Sequence, residues 1–231
     1  MKRFYRTAAV AEDDAGYALT LDGRVARTPA RNVLAVPSRA LAEAICAEWQ
    51  AQPDTIDPRS MRLTRLANTA IDRVRDRRED VIGEIARYAE TDLVCYRAAA
   101  PAELVARQSA AWQPLLDWLV RRYDSTLTVT DTVTPTPQPA HAIAALRGAL
   151  AAFDVYTLTA LHVVTAAAGS LVIALALAEN EIAAERAFEL SQLDEAFQMT
   201  QWGEDAEAAA RRAALRADLL MAARFMELCR A

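Results

Sequence analysis

The chain has 231 residues, 53% apolar and 25% charged, which is an ordinary globular composition with room for one large domain or for one domain with a smaller appendage. Its net charge is −5 and Lys2 is its only lysine, so no broad cationic surface is available for a phosphate backbone and nucleic acid drops out as a partner. Cys46, Cys95 and Cys229 lie far apart and match neither a disulfide framework nor a CxxC metal spacing, which points to buried free thiols in a reducing compartment.

The first residues, MKRFYRTAAVAEDD, reach acidic side chains before an apolar stretch of signal-peptide length can form, so this segment is expected to be retained. Residues 3–11, 16–21 and 24–28 read as short extended segments. Asp22-Gly23 between the last two suits a type I′ hairpin, because both types tolerate positive φ. NVLAVPS at 32–38 can add a strand. Ser38 is then a candidate N-cap for a helix carrying Leu41, Ile45 and Trp49 on one face, ended by Pro53.

From Met61 helical patterns dominate, with Leu63, Leu66, Ala70 and Val74 in one stripe and Val81, Ile85 and Tyr88 in the next. TDLVCYR at 91–97 is short enough to be strand or coil. A helix is predicted over 102–123 with Leu104, Gln108, Trp112, Leu115, Leu116 and Val120, followed by a β-prone interruption, STLTVTDTV. Three prolines between 135 and 139 stiffen the connector to helices over about 141–152, 155–178, 181–200 and 204–229. The fold class expected is therefore α+β, a small N-terminal antiparallel β domain over 1–60 followed by a larger all-helical domain over 61–231.

Residues 155–178 carry no charged side chain and are long enough to span a bilayer. Tyr156, Thr157, Thr159, His162 and Thr165 in the first half, the Gly169-Ser170 interruption and the lack of flanking positive charge favour two buried helices instead. His162, within this run, is expected to be a satisfied core histidine. Trp49, Trp112 and Trp118 fall on helix faces and read as core.

Two histidines and no cysteine cluster leave a metal site without ligands of the right type, and no P-loop, dinucleotide fingerprint or nucleophile elbow occurs. The unusual stretch is 179–207, where nine carboxylates face Arg186 alone, a local charge of −8. On a helix, Ala183, Ala187, Leu190, Leu193 and Phe197 would face inward, and Glu181, Glu185, Gln192 and Glu195 would share the opposite side with Phe188 among them. Asp194 and Glu195 are adjacent, so they diverge by about 100° and do not converge on one substrate atom. Trp202-Gly203-Glu204-Asp205 reads as a helix break, with the two acids at the positive end of the last helix.

LDGRVARTPAR (21–31), LAEAICAEWQAQ (41–52), MRLTRLANTAIDRV (61–74), TDLVCYR (91–97), RQSAAWQPLLDW (107–118), GSLVIALALA (169–178) and DEAFQMTQWGEDAEA (194–208) occur in this order. Together they resemble the chaperone family that binds the alpha subunit during assembly of the F-type ATP synthase catalytic sector, known in mitochondria and alpha-proteobacteria. Arg62, where the family favours proline, and Phe197, where it favours tryptophan, depart from the pattern.

The resemblance implies a chaperone that holds the unassembled alpha subunit until a beta subunit replaces it, with no enzymatic activity and no cofactor. The absence of an Arg-rich, acid-poor leader implies a bacterial, cytoplasmic member, and a one-to-one shield implies a monomer without stable membrane insertion. The expected partner-binding residues are Glu195 and Asp194, with Glu181, Glu185, Phe188 and Gln192 on the acidic face and Trp202 and Glu204 at the break. Two other classes compete: a small-molecule enzyme with a carboxylate and Arg cleft between the two regions, and a membrane-associated protein using 155–178.

Overall fold

A computed structural model describes residues 1–231 except Ala15, Val133 and Glu204. The architecture is α+β, with a small antiparallel sheet first and helices after it. Two compact units divide the chain. One comprises residues 1–78, 154–160 and 221–231, and the other comprises 79–153 and 161–220.

In the first unit, strand β1 (Ala8–Asp13) pairs antiparallel with β2 (Gly16–Leu21) in a register that runs from Ala8 opposite Leu21 to Asp13 opposite Gly16. Asp22 and Gly23 both take positive φ, 49° and 78°, which is the turn that their residue types favour, and lead into β3 (Arg24–Val25). The Asp22 carboxylate staples this turn by accepting the backbone N–H groups of Thr7 and Arg6, bonds that hold its pKa below the usual carboxylate value. Strand β4 (Ala35–Val36) pairs with the start of β2, so close that a Cβ at Gly16 would stand 2.4 Å from the Val36 carbonyl oxygen.

Helix α1 (Arg39–Gln50) lies on the sheet with Leu41 and Ile45 buried. The Ser38 hydroxyl accepts the Leu41 N–H at 3.0 Å as its N-cap and donates to the Leu228 carbonyl. Helix α2 (Arg62–Thr69) begins on Met61, whose side chain cannot cap. Its first N–H groups are met from α1 instead. The Glu48 carboxylate accepts from Leu63 N, Thr64 N and Thr64 Oγ1 at 2.8, 2.8 and 2.7 Å. Arg62 stands at the first helical position, where proline is at home but not required. Glu48→Ala would leave these donors unmet and is expected to lower stability by about 2 kcal/mol, measured as a shift in the urea midpoint. An unchanged midpoint would show that water replaces the carboxylate at no cost.

A π-turn over Ala70–Val74 follows, and its Asp72 accepts from Thr28 Oγ1, Asn32 Nδ2 and Ala30 N, which fixes the loop between β3 and β4. Residues 154–160 and 221–231 complete this unit. Tyr156 donates to the Ala35 carbonyl at 2.8 Å and its ring meets that of the fully buried Phe225 at 6.5 Å.

The second unit contains α3 (Arg78–Ala86) from Glu79 on, α4 (Ala102–Tyr123), α5 (Ala140–Ala151), α6 (Val155–Ala168) from Leu161 on, α7 (Leu171–Ala178), α8 (Ala184–Ser191), α9 (Leu193–Trp202) and α10 (Ala206–Arg230) as far as Leu220. The apolar run 155–178 is two helices broken at Gly169, whose φ is +65°, and no helix among the described residues is long and apolar enough to cross a membrane. Every residue of α7 is buried, with α4 and α8 packed on it.

A fully buried helix start must satisfy its N–H groups inside the protein. Asp92 does this. Its carboxylate accepts from Val172 N at 3.0 Å and from Leu171 N and the Ser170 hydroxyl, while Ser170 Oγ takes Ile173 N at 3.0 Å and the Ser170 carbonyl takes Ala174 N. The same carboxylate caps the short 3₁₀ turn Leu93–Cys95 through Val94 N. Among the described residues of the β-prone 125–133 one bridge forms, Thr130 beside Tyr96, where Thr130 N donates to the Cys95 carbonyl and Arg97 N to the Thr130 carbonyl.

His162 is no core histidine. It lies on α6 with 44% of its side chain exposed and Nε2 3.5 Å from Glu84 Oε2, because the face of α6 that carries it borders a polar hollow lined by Arg87, Tyr88 and Thr91. Cys46 and Cys95 are buried and Cys229 is half-buried, while Trp112 and Trp118 are buried and Trp49 is half-buried.

Candidate functional site

The helical period puts Glu181, Glu185, Phe188, Gln192 and Glu195 on one face of a continuous helix, and the structure differs. The helix breaks at Gln192, whose backbone turns to φ −113°, ψ 18°. Ser191 Oγ bonds back to the Phe188 carbonyl at 2.8 Å and Gln192 Nε2 to the Ser191 carbonyl at 3.2 Å. Such local bonds compete with helix propagation, and α9 restarts with Asp194 and Glu195 in its first turn, where negative charge is favoured.

The break reorients the face. Phe188 is 8% exposed and packs under the Arg212 guanidinium, 5.9 Å from its ring centre, so it is not an apolar ring presented to solvent. Ala183, expected inside, is exposed just ahead of α8. Gln192 is buried at the joint.

Most of the carboxylates are also engaged. Glu185 forms a two-pronged pair with Arg216, in which Nε lies 3.0 Å from Oε2 and Nη2 bonds Oε1. Glu189 pairs with Arg186 at 2.9 Å, and Glu179 with Arg122 at 3.0 Å and with the Tyr123 hydroxyl. Asp194 accepts Gln108 Nε2 at 2.8 Å while Gln108 Oε1 accepts Ala98 N at 2.7 Å, so Asp194 anchors α9 to α4. Asp205 caps α10 through Ala208 N. The sequence makes 179–207 look almost purely acidic; in space Arg122 of α4 meets Glu179 and Arg216 of α10 meets Glu185.

Glu195 and Glu181 remain exposed with no ion pair among the described residues. Glu195 is seven residues before Trp202, hence on the same face of α9. Trp202 is 83% exposed, the most exposed large apolar side chain among the described residues. Gly203 follows with φ +80° and ends the helix, which leaves the indole at its tip. Glu204 lies outside the described residues.

Between α9 and α10 runs an open groove of about 230 Å³, with Gln192, Glu195, Met199 and Trp202 on one wall and Arg211 and Arg212 on the other. Arg212 Nη1 reaches Met199 Sδ at 2.8 Å. Arg212 is four residues before Arg216 on one long helix, a spacing that puts both on one face and is the sequence signal for a basic stripe there. The arrangement offers a flat aromatic anchor with one acidic contact beside it and basic side chains across the groove. These are the parts of a protein-binding surface. Among the described residues no group of three or more His, Cys, Asp or Glu side chains is placed to hold a metal ion.

Comparison with known proteins finds relatives over most of the chain. A family model described as "ATP12 chaperone protein" matches residues 2–120. The crystal structure of Atp12 from Paracoccus denitrificans is 40% identical and superposes with a TM-score of 0.95 over 99% of this chain and 98% of that one. An Agrobacterium tumefaciens protein of known structure is 41% identical, with a TM-score of 0.92 over 98% of this chain and 85% of that one. The mitochondrial protein atp12 of Schizosaccharomyces pombe is 23% identical over 214 residues, 87% of this chain and 74% of the yeast one. The family model stops short of α9 and α10, whereas the two structural likenesses extend over nearly the whole chain.

Proposed function

The chain belongs to the ATP12 chaperone family, and on that premise we propose that it assists assembly of the F-type ATP synthase catalytic sector by holding the unassembled alpha subunit until a beta subunit takes its place. It works by binding and carries out no reaction of its own, as a single copy in the bacterial cytoplasm. The observation that carries this reading is Trp202, an aromatic ring left 83% exposed at a helix tip beside an unpaired Glu195. Exposed apolar rings with a polar surround mark contact sites for other proteins.

An orphan alpha subunit exposes the apolar surface meant for its neighbours, and covering it suppresses aggregation. Release demands moderate affinity, which a standard interface of about 1,600 Å² can supply. Within the site, Glu195 and Trp202 touch the client and Glu181 adds charge at the rim. Asp194, Phe188 and Gln192 set the position of α9, and Glu185 is held by Arg216.

Co-expression with the cognate alpha subunit, alone and then with beta, tests this by size-exclusion chromatography. A co-eluting complex with alpha that dissolves on addition of beta is the expected result. No complex and no gain in soluble alpha would refute the client.

A further inference from the structure

In the first unit, Phe4, Tyr5 and Trp49 form a chain of rings. Phe4 meets Tyr5 edge-on with centroids 5.4 Å apart, and Tyr5 meets Trp49 at 5.5 Å. They border a groove of about 560 Å³ whose further lining includes Leu21, Val25, Arg24 and Arg27. Phe4 is 63% exposed and Val25 45%, so two large apolar side chains stand uncovered at one place.

The groove is preformed. The N-terminal strap that carries Phe4 is pinned by Arg3 N to the Asp54 carbonyl and by Ile56 N to the Met1 carbonyl, and the Tyr5 hydroxyl is locked on the Trp49 carbonyl at 2.7 Å. Beside it, and sharing Tyr5, lies a polar hollow lined by Lys2, Arg3, Arg6 and Asp54. The two depressions together hold five cationic side chains against the carboxylates of Asp54 and Asp22. Asp22 is spent on the Arg6 and Thr7 amides. This is a positive patch on a chain whose net charge is −5.

Strand β3 runs along the groove with both residues exposed, and no backbone group among the described residues pairs with its outer edge. An open edge accepts another extended chain.

We infer that this groove is a second client contact, taking an extended segment of the unassembled subunit that carries apolar and acidic side chains. The inference rests on the proposed chaperone function. The rings receive apolar side chains, Arg24 and Arg27 meet carboxylates, and the β3 edge fixes the direction of the segment. A two-residue edge gives little affinity by itself, so side-chain burial carries the binding and the charges steer encounter.

The test uses the full chain, purified alpha subunit and the variants Arg24→Glu and Phe4→Ser, both at exposed positions outside the core. Each is expected to weaken binding of alpha at least tenfold with an unchanged thermal melt, and the salt dependence of binding should shrink in Arg24→Glu. A photo-crosslinker at Val25 should label one apolar and acidic segment of alpha. If the parent holds alpha and both variants hold it equally well, the groove proposal is wrong and the chaperone function stands. If the parent does not hold alpha, both fall. Crosslinking to a second copy of this chain, or displacement of alpha by a single-stranded oligonucleotide at this groove, also overturns the proposal.

Discussion

Asp92→Ala is expected to destabilise the second unit by about 3 kcal/mol or more, the cost of leaving several buried N–H donors without an acceptor. Asp92 is fully buried, and burial pushes its pKa up from 3.8 to about 6 even though the Ser170 hydroxyl and the N–H groups of Val172, Val94 and Leu171 all pull it down. It is therefore still ionised at neutral pH, and removing it strands the first N–H groups of a helix that has no solvent on any side. Urea denaturation followed by far-UV circular dichroism measures the loss. A change under about 1 kcal/mol would mean that the helix start repacks or admits water.

The same group gives a pH signature. The folded state holds this proton more tightly than the unfolded state does, so the extra stability that protonation of Asp92 adds is complete below about pH 3.8 and is lost as pH rises through about 6, where the ionised carboxylate still caps the helix. Asp92→Asn cannot titrate. The parent should therefore gain on this variant by about 2 kcal/mol as pH falls from 7 to 4, while carboxylates common to both cancel. A stability difference that stays flat with pH would show that Asp92 titrates alike in both states.

Glu195→Lys and Trp202→Ala are each expected to weaken binding of the alpha subunit by about 2 kcal/mol or more, roughly thirtyfold. Neither side chain makes an internal hydrogen bond among the described residues, so their melts should match the parent. Glu185→Lys is the contrast, since it opposes Arg216 across an exposed pair and should disturb α8 more than it disturbs the client contact. Calorimetric titration with alpha decides. Normal binding by a folded Glu195→Lys protein would place the contact elsewhere.

Local chemistry made part of this fold legible. Asp22-Gly23, the Ser38 cap, the full span of α4 and the Gly169 break each follow from what a residue can do with its own backbone. What escaped depends on partners distant in sequence. Glu48 caps a helix fifteen residues on, and Asp92 closes one eighty residues on. Neither is marked by any nearby pattern. In the candidate site, Glu195 and Trp202 were identifiable as unusual, but the helical period carried Phe188 and Gln192 onto their face. Two side-chain bonds at Ser191 and Gln192 cancel that period, and periodicity does not register them.

The first unit is assembled from residues 1–78 and residues 221–231, and Ser38 hands its proton to the Leu228 carbonyl. On a ribosome, the sheet is made early, yet the segment that finishes its unit emerges 185 residues later. At roughly 5–20 residues per second, β1 to β4 wait on the order of ten seconds for their last neighbours. During that interval the nascent chain exposes the surface that Phe225 will cover. A member of a chaperone family thus passes through an unfinished state of its own, and its synthesis has to outrun its aggregation.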